Sequence, residues 1–156
     1  MLIRAVARQG LGVVTIAVLL LSPIAGVEAQ GPAATGSVVV SIADLRGSEG
    51  MLLVQLFAAP DGFPDDPTKA QRRLRVPAAQ GTQPITFDRL APGRYAIAVC
   101  HDENDNGVCD KNIFGIPKEG VGVSNDALRR FGPPRFEDAS FAIAGEGVTQ
   151  TIHLHY

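Results

Sequence analysis

The sequence predicts an all-β protein: an antiparallel β-sandwich of about seven strands, of immunoglobulin-like type, carrying one long ordered loop. Three observations lead there. Short runs rich in Val, Ile, Leu and Phe recur between clusters of Gly, Pro, Asp and Asn, the punctuation of strands and turns. The clearest run, residues 94–101 (RYAIAVCH), alternates with a period of two: Tyr95, Ile97 and Val99 share one face, and Arg94, Ala96, Ala98 and Cys100 the other. No strand–helix–strand rhythm of the kind that builds parallel sheets is present, which leaves a sandwich as the economical architecture.

The 156 residues hold one domain behind an export signal. Arg4 and Arg8 precede an uncharged apolar run at residues 11–21 (LGVVTIAVLLL), Pro23 and Gly26 break it, and Val27 and Ala29 suit cleavage before Gln30. The run is shorter than the ~20 residues of a membrane span, so no transmembrane segment is expected after cleavage. Residues 1–29 are thus a signal peptide, 30–36 a flexible leader, and 37–156 the domain, in an exported location that is periplasmic or extracellular. Without Arg4, Arg8 and Glu28 the balance is 12 basic against 15 acidic residues, or −3. The one basic run is Arg72-Arg73 with Arg75, and a nucleic-acid partner is not expected.

Taken in order, residues 37–45 (SVVVSIADL) read as a β-branched strand ended by the turn 46–50, and residues 51–58 as a second strand, antiparallel if the turn makes a hairpin. Residues 60–67 form a Pro-rich loop. Asp66 as N-cap and Pro67 at N1 predict a short helix through Arg73. Residues 74–76 and 84–87 read as strand, and 90–93 (LAPG) as a tight turn. After strand 94–101 comes a long polar loop. Ser124 or Asn125 caps a helical turn over residues 127–130, which Gly132-Pro133-Pro134 stops. Residues 139–144 and 148–156 are the closing strands.

The loop that begins at His101 concentrates the chemistry. Asp102, Asn104, Asn106 and Gly107 follow the D-x-[DN]-x-[DN]-G spacing of calcium loops, with the Val108 carbonyl and Asp110 in the next two ligand places. Ile113 stands where such loops carry a bidentate Glu, so an ion here would be held weakly, at ~10⁻⁴–10⁻³ M. The same residues are the preferred residues of self-bonded turns, and both readings stand. Cys100 and Cys109 are expected to pair in an oxidising compartment, closing a loop of about ten residues at roughly 2–3 kcal/mol. His101, Glu119, Ser124 and Asn125 make up a candidate ligand surface. His153 and His155 share one strand face and read as a solvent-facing edge.

Two motifs carry a family resemblance. Phe87-x-x-Leu90-x-Pro92-Gly93-x-Tyr95-x-Ile97-x-Val99 resembles the turn-and-strand signature of transthyretin-like and carboxypeptidase-regulatory-like sandwiches. The more specific set is His101-Asp102-Glu103-Asn104-x-Asn106-Gly107-x-x-Asp110, then Phe114-Gly115-Ile116-Pro117-Lys118-Glu119-Gly120-x-Gly122-x-Ser124-Asn125, then Pro133-Pro134-x-Phe136-Glu137-Asp138-Ala139. It resembles the bacterial exported family called domain of unknown function 2141 over nearly the whole mature chain. The resemblance implies an exported β-sandwich with no assigned activity, substrate or catalytic residue, and cysteines at 100 and 109 are not part of the family pattern.

The sequence therefore predicts a non-enzymatic exported module that displays a calcium-stabilised Asp/Asn/Gly loop, with a binding or structural role in the envelope. The alternative is a metal-dependent or hydrolytic enzyme using His101 with loop carboxylates, which requires His101, Glu119 and a third polar group to converge in one pocket. There is no GxSxG elbow to supply a nucleophile. A third expectation is an envelope protein partner that adds to an exposed edge strand.

Overall fold

The computed structural model describes residues 35–156; the expected signal peptide (1–29) and most of the expected leader (30–36) lie outside the described residues. Eight strands form two sheets: β1 (Gly36–Leu45), β2 (Met51–Phe57), β3 (Arg72–Pro77), β4 (Gly81–Leu90), β5 (Gly93–Asp102), β6 (Gly120–Val123), β7 (Phe141–Ile143) and β8 (Gly147–His153). One sheet has the order β4-β1-β8, the other β3-β2-β5-β6, and β7 pairs with the start of β5 below β6. The all-β sandwich is as expected.

Its connectivity departs from the expected antiparallel pattern in two places. β1 and β8 run parallel, in register from Ser37 opposite Gly147 to Ala43 opposite His153. β1 and β2 are not a hairpin, because the turn at 46–50 carries the chain from one sheet to the other. The absence of a hairpin follows from β1 taking the centre of its sheet, where β4 and β8 occupy both its edges and leave none for β2.

Alternation builds the core. Val38, Val40 and Ile42 of β1 face Leu52, Val54 and Leu56 of β2 and Ile97 and Val99 of β5, all at most 3% exposed. Each such aliphatic side chain contributes about 1.5–3 kcal/mol by leaving water. A second, smaller cluster lies on the outer face of the larger sheet, where Phe57, Ala96, Ala98 and Val123 are covered by Phe136 and Ala139 of the one-turn helix α1 (Phe136–Ala139). Phe63 wedges edge-on between Phe57 and Phe136, at centroid distances of 5.3 and 5.9 Å.

Local helix signals were overridden at two points. The helix expected after Asp66 is absent: Asp66 Oδ1 accepts from the backbone and hydroxyl of Thr68, and the chain enters β3 at Arg72 to pair with β2. The helical turn expected at 127–130 is replaced by a 3-10 turn one step earlier, Ser124–Asp126, and α1 stands just before β7.

β6 forms inside the stretch expected to be loop, although glycine is a poor strand former. Here Gly120 and Gly122 are needed for close approach. A Cβ on Gly122 would sit 2.6 Å from Ile152 Cγ2 and 2.7 Å from the His153 carbonyl, and one on Gly120 would enter the Tyr156 ring. Val121 and His155 exchange two backbone hydrogen bonds of 2.9 Å across this seam, linking the sheets at one side. The long loop is rooted there, between β5 and β6.

Candidate functional site

The loop from Asp102 to Glu119 is built from the inside out by hydrogen bonds. Asp102 is fully buried and accepts from two backbone amides, Oδ1 from Asn106 at 3.0 Å and Oδ2 from Gly107 at 2.8 Å. Asn104 Oδ1 also accepts from the Asn106 amide, and Asn106 Oδ1 from that of Val108, both at 3.0 Å. These are Asx turns, and Gly107 supplies the left-handed residue they need at φ 83°. The side-chain amides of Asn104 and Asn106 donate to Asp110 at 2.8 and 3.2 Å. The structure thus brings Asp102, Asn104, Asn106 and Asp110 together on one turn. Val108 lies at its exposed rim.

Glu119 is the residue whose role the spacing did not disclose. It is 6% exposed; Oε1 accepts from the Glu103 amide at 3.1 Å and Oε2 from the Asp110 amide at 2.9 Å. One carboxylate therefore ties down both ends of the Asx turn. Beside it, Cys100 and Cys109 stand at disulfide distance, with Cα atoms 6.0 Å apart. Cys100, Cys109 and Glu119 lie within metal-ligand reach of one another, but sulfurs bonded to each other offer no thiolate. Beyond this tie the chain folds into a small hairpin. Lys111 bridges Pro117, the Lys118 amide donates to Asp110 O at 2.8 Å, and Asn112 Oδ1 accepts from Phe114 and Ile116. The hairpin tip leaves Ile113 and Phe114 at 93% and 80% exposure.

The remaining predicted residues are separated by strand parity. His101 continues the inward face of Ile97 and Val99 and is fully buried between the sheets. Its Nδ1 meets the Tyr156 hydroxyl at 2.7 Å and its Nε2 the Glu49 carbonyl at 2.8 Å. Glu119 turns to the opposite, outer face, beside Cys100, so the two do not converge. Buried Ser124 accepts from the Ile97 amide and donates to the Ala139 carbonyl at 2.6 Å, and Asn125 donates to Asp138 and Ser140 carbonyls. These residues join β5 to α1.

His153 pairs with Asp126 at 2.7 Å, and its backbone amide donates to the same carboxylate at 3.0 Å. Burial works against the Asp126 charge, but the hydrogen bonds from His153 outweigh it and hold the carboxyl below its ordinary value. The hydrogen bond to Asp126, then the attraction of its charge, raises His153. His155 is exposed apart from this pair.

An unforeseen feature is a cleft of about 1300 Å³ on the outer face of the larger sheet. Its floor is two rows running across the strands: Arg75, Leu53, Cys100 and Val121, then Arg73, Gln55, Ala98 and Val123. Its walls come from the loops around Pro64 and Pro67, Val108 to Pro117, and Leu128 to Pro134. The Gln55 side-chain oxygen is buried there with no hydrogen-bond partner. Of the 12 basic residues in 35–156, five line the cleft (Arg73, Arg75, Lys111, Arg129 and Arg130), while of 15 acidic residues only Asp65 does. Arg75 pairs with Asp105, and Lys111 with Asp65 at 2.7 Å. Arg73, Arg129 and Arg130 have no ion-pair partner among the described residues. No single residue signalled the cleft, because it depends on strand register.

Among the described residues no helix is long and apolar enough to cross a membrane. Comparisons with curated proteins and with solved structures found no match. The family model described as an uncharacterized protein conserved in bacteria (DUF2141) matches residues 40–151, from the middle of β1 into β8. The chain belongs to the domain of unknown function 2141 family.

Proposed function

We propose that this chain is an exported, non-enzymatic binding module that receives a ligand in the cleft on the outer face of the larger sheet. One observation carries the reading. The polar groups that catalysis would draw on are consumed by the fold, with His101 sealed between the sheets and Glu119, Asp102 and Ser124 bonded to backbone, while an apolar-floored cleft stays open beside them. Concave sites with apolar floors and a few polar groups are the usual form of small-ligand sites, commonly of ~300–1,000 Å³. The cysteine pair at disulfide distance suits an oxidising, exported setting.

The neutral dye Nile red tests the reading. The purified chain is expected to enhance its fluorescence saturably, and Leu53→Glu, which puts a charge on the floor without touching the inner core, to abolish this. No saturable binding, or binding that ignores Leu53→Glu, overturns it.

Calcium forms a second, narrower reading, favoured by the convergence of two carboxylates and two side-chain amides on one turn. Each Asp102 oxygen keeps a second lone pair after accepting its amide. The amide nitrogens of Asn104 and Asn106 face Asp110, so an ion would require both amides to turn their oxygens inward. Calcium at millimolar concentration would then raise the melting temperature, and Asp102→Ala would remove the rise. An unchanged melting temperature leaves the turn self-bonded.

A further inference from the structure

We infer that the ligand of this cleft is a single-chain amphiphilic anion, an acyl chain ending in a carboxylate or similar small anionic head. The inference rests on the binding-module reading and adds the chemical class.

The first ground is charge. The described chain is acidic overall, yet its cleft lining carries five basic residues against one acidic. Asp65 and Asp105 each occupy one cation, which leaves Arg73 at the β3 edge and Arg129 and Arg130 on the opposite wall. Guanidinium groups are suited to carboxylate and phosphate heads, since their forked donors match those oxygens. A cationic or neutral ligand would leave this rim unanswered.

The second ground is apolarity at the floor and walls. Leu53 and Val121 are the half-buried part of an uncharged strip whose other members, Ala98 and Val123, already lie against Phe136 and Ala139, and the walls add Val108, Phe114 and Ile116, which are 56%, 80% and 59% exposed. Large apolar side chains left this exposed around a concavity mark a surface that is covered when in use. The Gln55 side-chain oxygen is buried beneath this floor without a hydrogen-bond partner, and Arg73 and Arg75 stand at its β3 end. A small hydrophilic anion would leave this apolar surface uncovered. A hydrocarbon chain laid across the strands from an arginine-held head uses both parts of the cleft.

The test uses the purified chain with sub-micellar probes, read by calorimetry and by displacement of Nile red. Dodecanoate is expected to bind at least tenfold more tightly than dodecyltrimethylammonium, which has the same chain with the opposite charge. Butanoate, which keeps the head and loses the chain, is expected not to bind. Arg129→Ala with Arg130→Ala, both in an exposed loop, should cost dodecanoate at least tenfold, a much larger loss than any in Nile red binding, with the melting temperature unchanged. Equal binding of the two twelve-carbon ions, or dodecanoate binding indifferent to the arginine pair, overturns the anion assignment and leaves the binding module standing. Loss of Nile red and dodecanoate binding alike overturns both. Association with anionic vesicles in the absence of any monomer binding would also overturn it, by making the arginines and exposed apolar tips a membrane-contacting surface.

Discussion

Replacing Glu119 by Ala should loosen the long loop while leaving the sandwich core in place. The carboxylate accepts from two backbone amides, at 3.1 Å from Glu103 and 2.9 Å from Asp110. Hydrogen bonds to a charged group contribute about 1.5–3 kcal/mol each. Both amides are only partly buried, so water recovers part of the loss, and the expected cost is about 2–4 kcal/mol. For a domain of this size a kilocalorie shifts the melting temperature by about 4 °C, giving a fall of roughly 8–16 °C. Glu119→Gln keeps one acceptor oxygen and turns an NH₂ toward the second amide, so it should fall between Ala and the native chain. Hydrogen exchange adds the local readout: the Glu103 and Asp110 amides should lose protection, while Val54 and Ile97 in the core should retain theirs relative to global unfolding. A Glu119→Ala chain that melts within about 2 °C of the native one, or unchanged exchange at the two amides, would show that Glu119 does not hold the loop.

Two further predictions follow from the same region and its neighbour. Replacing Cys100 and Cys109 together by Ser frees a loop of about ten residues and should cost about 2–3 kcal/mol on the chain-entropy account; chemical denaturation checks it, and an unchanged midpoint would mean that the pair does not constrain the unfolded chain. The His153–Asp126 pair should impose a pH dependence on stability. A raised histidine contributes fully below its unfolded value near 6.5 and fades as pH rises through its higher folded value. A lowered aspartate contributes above its unfolded value near 3.8 and fades as pH falls through its lower folded value. The contribution is therefore greatest between those two values. The loss of stability from pH 5.5 to 8.5 should be smaller in His153→Gln than in the native chain, and equal slopes would dismiss the pair.

What was legible in the sequence was whatever depends on neighbours along the chain. The alternation of Tyr95, Ile97 and Val99 marked β5 and its inward face, and the Asp102-x-Asn104-x-Asn106-Gly107 spacing marked a tight Asx turn. The same parity already pointed His101 into the core; its chemistry as a titratable ring beside an aspartate obscured that. The rest depends on partners distant in sequence. The parallel pairing of β1 with β8 needs residues about 110 positions apart to meet. Gly120 and Gly122 carry little strand signal of their own, and the packing of Ile152 and Tyr156 against them explains β6. The cleft floor combines Arg73, Gln55, Ala98 and Val123 from four strands, an adjacency set by register and invisible to periodicity.

The tiered closure of the long loop has a consequence for how the protein can change. The cysteine pair and Glu119 clamp the stalk, and the Lys111–Pro117 bridge closes a second gate above it. Ile113 and Phe114 sit beyond both, with nearly all their surface in water. Chain added at that point lengthens a loop whose closure cost grows only slowly with length, and it leaves the clamp and the sandwich unaltered. The tip is thus a graft site: a place where recognition can be rewritten, by evolution or by insertion of a foreign peptide, without renegotiating the fold that holds it up.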